Sequence, residues 1–132
     1  MAKDFSDRST HMIHETKDIG SVEIADEVVA VIAGLAATEV EGVASMAGNI
    51  TKELVGRLGA KNLSKGVKIR MMDTSVSVDI AINVKYGYSI PEVAGVVQER
   101  VKNAIESMTG LEALDINVKI SNVELEPTGA TK

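Results

Sequence analysis

Only two side chains in this sequence, His11 and His14, could serve as imidazole bases or metal ligands, and they stand as His-x-x-His followed by Glu15. Zinc hydrolases hold histidines at i and i+4 of a stable helix, or use another fixed His/Glu order. This spacing offers neither, so an inert polar segment is the simpler reading. Serines are scattered along the chain, but no histidine from the body of the sequence is available to activate one, and no G-x-S-x-G elbow occurs. There is no cysteine, which removes disulfides, thiolate nucleophiles and Cys-ligated zinc. Glu39 and Glu41 form a carboxylate pair two residues apart, and such residues do not face each other on a helix. Neither the P-loop spacing nor G-x-G-x-x-G is present. We therefore expect no catalytic, cofactor-binding or metal-binding residues and no enzyme activity.

What remains is charge. The chain carries a formal net charge of −5, unevenly spread. Residues 49–70 hold Lys52, Arg57, Lys61, Lys65, Lys68 and Arg70 against a single acid, Glu53, whereas both flanking stretches are acidic. These six residues are the candidate interaction residues. They could meet an anionic partner or lipid surface, although internal balance against the acidic ends is the favoured reading. Within them, Gly56-Arg57-Leu58-Gly59 has the G-x-x-G form with which some RNA-binding domains clamp a backbone. The following residues run into a strand rather than the second helix that use requires, so RNA binding is a minor alternative. Scarce aromatics (two Tyr, one Phe, no Trp) also argue against base-stacking functions.

The elements that would position these groups can be read from periodicity. At 132 residues, 45% hydrophobic and 25% charged, the sequence fits one ordinary globular domain with an aliphatic core. Its longest apolar run, Val28 to Ala37, is too short to cross a bilayer, and the polar start has no signal-peptide character, so a cytoplasmic location is expected. Residues 1–17 lack a hydrophobic period and read as a flexible tail; residues 18–126 form a single domain; residues 127–132 form a second tail. A strand over Asp18–Ile24 precedes a helix with Asp26 and Glu27 in its first turn and Gly42 as its C-terminal cap. That helix has no polar face. Its cover is either the short helical connector Ile50–Leu58, the reading favoured here, or a partner.

Val67, Ile69 and Met71 alternate with Lys68 and Arg70, and after a turn at Asp73-Thr74 the even residues Val76 to Tyr86 alternate with polar neighbours. Such long alternation means a half-buried strand in a sheet with one wet face. Ser89-Ile90-Pro91-Glu92 is a capping box that opens a second helix, with Ile90, Val93, Val97, Val101, Ala104, Ile105 and Met108 as its buried stripe and Thr109-Gly110 as its end. Leu114 to Ile120 alternate again, and a one-residue slip of phase near Ser121-Asn122 predicts a β-bulge. The order β-α-β, short α, β-β-α-β predicts a two-layer α/β sandwich of broadly ferredoxin-like kind, with a mixed or antiparallel sheet and its helices on one face.

Several of these segments together resemble the alkaline shock protein family: Gly20-Ser-Val-Glu-Ile-Ala, Ile32-Ala-Gly-Leu-Ala-Ala, Lys65-Gly-Val-Lys-Ile, Tyr86-Gly-Tyr-Ser-Ile-Pro-Glu and Asp115-Ile-Asn-Val-Lys-Ile. The resemblance runs over residues 19–125 in the expected order. It implies a small, abundant, non-enzymatic protein of mainly Gram-positive bacteria, linked to envelope stress and alkaline shock. Some members are held at the inner face of the membrane by a separate membrane protein and can self-assemble. The implied role is an interaction or scaffold protein acting through self-association or a membrane-anchored partner. A subgroup with the Ile-Ala-Gly-x-Ala-Ala and Ser-Ile-Pro patterns is associated with acetyl-CoA carboxylase and fatty-acid synthesis, which supplies the alternative of a regulatory binding module. The family has no established catalytic residues, so none are carried over.

Overall fold

The computed structural model describes residues 10–16, 19–47 and 65–125. Eight elements lie in this span. Strands β1 (Thr10–Thr16) and β2 (Gly20–Ala25) form an antiparallel hairpin. Helix α1 (Asp26–Thr38) leads to β3 (Val43–Met46), and then follow β4 (Val67–Met72), β5 (Ser75–Lys85), helix α2 (Ile90–Thr109) and β6 (Glu112–Glu124).

The main sheet is organised around β5. β6 runs parallel to it along its whole length, from Ser75↔Glu112 to Lys85↔Glu124. β3 and β4 are both antiparallel to β5 and share its other edge end to end, β4 against Ser75–Ile80 and β3 against Ile82–Val84. The sheet is therefore mixed and three strands wide. On β5 the alternation read from sequence holds from Val76 to Val84: Val76, Val78, Ile80, Ile82 and Val84 are buried in one apolar cluster, whereas Tyr86 lies beyond the strand's end at Lys85 and is 70% exposed. Burying each such side chain is worth roughly 1.5–3 kcal/mol. Both helices pack over this face, α2 against α1 and β6, and α1 against α2, β3, β4 and β5. The result is a two-layer α/β sandwich.

Local chemistry accounts for the helix ends. The Ser89 hydroxyl accepts from the Glu92 amide, Pro91 sits in the first turn, and Gly110 closes α2 at φ 79°. The α2 stripe is Val93, Val97, Val101, Ile105 and Thr109. Ile90 and Met108, which the periodicity places in that stripe, are instead exposed at 40% and 68%, because the stripe follows strict i+4 steps and drifts around the helix. α1 buries Val29, Ala30, Ala33, Gly34 and Ala37, small side chains that let α2 and the sheet approach closely. Its cover among the described residues is therefore α2 and the sheet; Ile50–Leu58 lies outside them.

Three expectations change. Thr10–Thr16, inside the stretch predicted as tail, is a strand. Its period was illegible because the register shifts between Met12 and His14. β2 pairs with this strand rather than joining the main sheet, which departs from a ferredoxin-like arrangement. Gly42 does not cap α1, which ends at Thr38 with Glu39 as its cap. Gly42 lies in the turn before β3 at φ 100°, where an added Cβ would come within 2.7 Å of Val93 Cγ2 and 2.9 Å of Tyr88 Cδ2. The bulge near Ser121 is present, as the pairing jumps from Ile82↔Ile120 to Asn83↔Asn122.

Gly42 and Gly87 share φ 100°, but a Cβ at Gly87 would meet nothing within 4 Å. Gly87→Ala should cost about 1–2 kcal/mol of backbone strain. Gly42→Ala should cost about 1–3 kcal/mol more through overpacking. Denaturant midpoints of the two variants check the difference, and equal midpoints would show that the close approach at Gly42 is relieved without cost.

Candidate functional site

The odd-numbered residues of β5 point away from the helices. Cross-strand register sets each beside polar partners: Ser77 lies between Arg70 and Asp115, Asp79 between Lys68 and Asn117, and Ala81 beside Lys119. The sheet's second face is thus polar from strand to strand, because β4, β5 and β6 carry their polar residues in the same phase.

Asp79 is the hub of this face. Its Oδ2 accepts from the Arg70 guanidinium at 2.8 Å and its Oδ1 accepts from Asn117 Nδ2 at 2.9 Å; Asn117 Nδ2 also reaches Asp115 Oδ1 at 3.3 Å. The Arg70 hydrogen bond and then the Asn117 hydrogen bond hold the Asp79 carboxyl below the ordinary carboxylate range, with the charges of Arg70 and Lys68 adding to the effect. Both side chains of the ion pair are well exposed, at 56% and 39%, so it orders the face more than it stabilises the fold. An ionised, doubly engaged carboxylate is a poor general acid or base at neutral pH.

Beside this hub lies an open groove of about 470 Å³ lined by Lys65, Gly66, Lys68, Asp79, Asn117 and Lys119, among others. Gly66 brings the start of β4 close to β5 and β3: an added Cβ would sit 3.3 Å from the Ala81 carbonyl oxygen and 3.4 Å from Met46 Cε. Among the described residues, Lys65, Lys68 and Lys119 have no ion-pair partner. The groove therefore presents three ammonium groups around one carboxylate that Arg70 already neutralises, an arrangement suited to holding anionic groups.

Of the six candidate residues read from sequence, Lys65, Lys68 and Arg70 come together at this face; Lys52, Arg57 and Lys61 lie outside the described residues, as does the Gly56–Gly59 motif. Sequence reasoning missed Asp79, Asn117 and Lys119. Their polar phase on β5 and β6 is visible in the sequence, but the parallel register that sets them beside Lys68 is not. His11 and His14 fall on β1, opposite Ile24 and Val22. Among the described residues no three His, Cys, Asp or Glu side chains gather as a metal site, and no helix is long and apolar enough to cross a membrane.

Comparison with known proteins sets this architecture in a family. Residues 14–125 match the alkaline shock protein (ASP23) family, of cell envelope-related function, and the chain belongs to it. It is 44% identical over 115 residues to the uncharacterized protein YqhY of Bacillus subtilis, covering 87% of this chain and 85% of that one. YloU of the same organism, also uncharacterized, is 34% identical, covering 80% of this chain and 90% of its own. A stress response regulator gls24 homolog of Streptococcus pyogenes is 25% identical, covering 87% and 68%. Among solved structures, a MamM CTD variant aligns with a TM-score of 0.47 at 16% identity, covering 75% of this chain and 95% of that chain, a likeness too low to carry an argument.

Because the Asp79 value is depressed, its pairing adds stability above the ordinary carboxylate range and loses that contribution as pH falls through the depressed value. Asp79→Asn should therefore be slightly less stable than the parent at pH 7, with the difference vanishing on acidification. Urea unfolding across pH 2 to 7 measures this. A difference that is constant with pH would mean that the carboxylate is not what Arg70 engages.

Proposed function

We propose that this protein is a non-catalytic interaction module of the envelope stress response, whose polar sheet face docks an acidic segment of a partner protein. The observation that carries the reading is the groove itself. Lys65, Lys68 and Lys119 line it without described ion-pair partners, while its one carboxylate is already held by Arg70 and Asn117. An acidic segment laid across the face would meet three lysines that form no ion pair among the described residues. A preorganised surface of this kind favours recognition and rapid encounter over turnover. Family membership supports the envelope setting. A membrane-anchored partner that presents acidic residues at the inner face suits both the family resemblance and the sign of the charge. The carboxylase-linked alternative draws on the sequence pattern alone, and no feature of the groove favours it.

A fluorescein-labelled decaglutamate peptide should bind the purified chain with an affinity that falls steeply with salt. Joint substitution of Lys65, Lys68 and Lys119 by alanine should weaken it at least tenfold, whereas Arg100→Ala should leave it unchanged. In cells, a partner cross-linked to the parent protein should be lost with the same triple variant. Binding that survives the triple substitution would remove the reading. A captured partner that proves to be RNA, or a second copy of the chain, would replace it.

A further inference from the structure

A second surface, separate from the basic groove and opposite to it in sign, lies along the outer edge of β6. Among the described residues this 13-residue strand pairs only with β5, so its other edge is open. An open edge carries a row of unused amides and carbonyls, and it is the element to which extended peptides add as a further strand. Beside it runs a groove of about 450 Å³ between α2 and β6.

Three features suit this groove to a peptide. Two edge groups already meet side chains of α2: the Ala113 amide donates to Glu106 Oε2 at 3.0 Å, and the Ile116 carbonyl accepts from Gln98 Nε2 at 2.9 Å. The Ile116 carbonyl can exchange the Gln98 amide for a peptide amide of the same kind at little net cost, whereas the Ala113 amide would give up a charge-assisted bond to Glu106, whose carboxylate keeps Lys102. A bulge between Ala113 and Asp115 leaves Leu114 half exposed at 51% beside the groove, a large apolar side chain with no role in the core. Across from it, Gly95 gives α2 a bare spot where an added Cβ would meet nothing within 4 Å, leaving room for a side chain brought by the occupant.

Charge selects the occupant. Glu99 and Asp115 line the groove, and the one cation lining it among the described residues, Lys102, is engaged by Glu106 at 2.8 Å. A second copy pairing through its own β6 would bring Glu112, Asp115 and Glu124 against the same three acids, with only Lys119 to offset them. We infer that β6 and α2 form a strand-addition site for an extended, basic segment of a partner protein, with apolar residues seated between Leu114 and Gly95 and cations facing Glu99 and Asp115.

The probe is a fluorescein-labelled octapeptide of alternating lysine and valine, and the readout is anisotropy with the full chain. Gly95→Leu, which fills the groove at an exposed helix position and favours the helix, should weaken binding at least tenfold. N-methylation of alternate amides of the peptide should do the same, because it removes strand hydrogen bonds while keeping charge. The alternating glutamate and valine peptide should not bind. Alanine substitution of Lys65, Lys68 and Lys119 should leave this binding intact, which separates the site from the basic face. The inference is overturned if the lysine–valine peptide fails to bind, or if it binds Gly95→Leu or binds in its N-methylated form as tightly as before. A dimer in sedimentation that Gly95→Leu dissociates would also overturn it, in favour of a second copy.

Discussion

The period of β5 governs this molecule. Its even residues form the floor of the apolar core, and its odd residues form the spine of the polar face, so one strand fixes both halves of the protein. Because side chains alternate strictly along a strand, a slip of one residue in register would exchange the two faces. The elements packed or paired on β5 answer to this constraint. α1 and α2 cover the even face with aliphatic side chains, and β4 and β6 extend the odd face with Lys68, Arg70, Asp115, Asn117 and Lys119.

The ends of β6 are tied to its neighbours by side chains as well as by strand pairing and core packing. Near its start, Glu106 joins Lys102 on its own helix to the Ala113 amide, and those two bonds hold its carboxyl below the ordinary range. At the other end, Asn83 donates to the Ser45 hydroxyl and to the Met46 carbonyl, and Ser45 donates to Glu124, linking β3, β5 and β6. Asn83 and Ser45 are buried, and buried polar groups of this kind specify register because they are satisfied in only one alignment.

The parts legible in the sequence were those with a local cause. The alternation of β5 as far as Val84, the cap at Ser89, the Gly110 stop and the bulge at Ser121 each have a local pattern, and each stands where it was read. The parts not legible depend on pairing at a distance. β1 escaped notice because its own bulge breaks its period, and Gly42 was misassigned because the demand on it comes from Tyr88 and Val93, more than forty residues away. The candidate site was half visible for the same reason. Lys65, Lys68 and Arg70 stand in a basic run, but only the parallel β5–β6 register adds Lys119 and makes a groove of them.

β3 and β4 meet end to end on the shared edge of β5. β3 ends and β4 begins at neighbouring points: the Ala47 amide donates to the Ala81 carbonyl at 3.1 Å, and a Cβ on Gly66 would lie 3.5 Å from that of Ala47. The chain thus leaves the sheet and re-enters it at one seam. Bulk added at Ala47 or Gly66 would therefore press on both strands at once, directly beside Lys65 and Lys68.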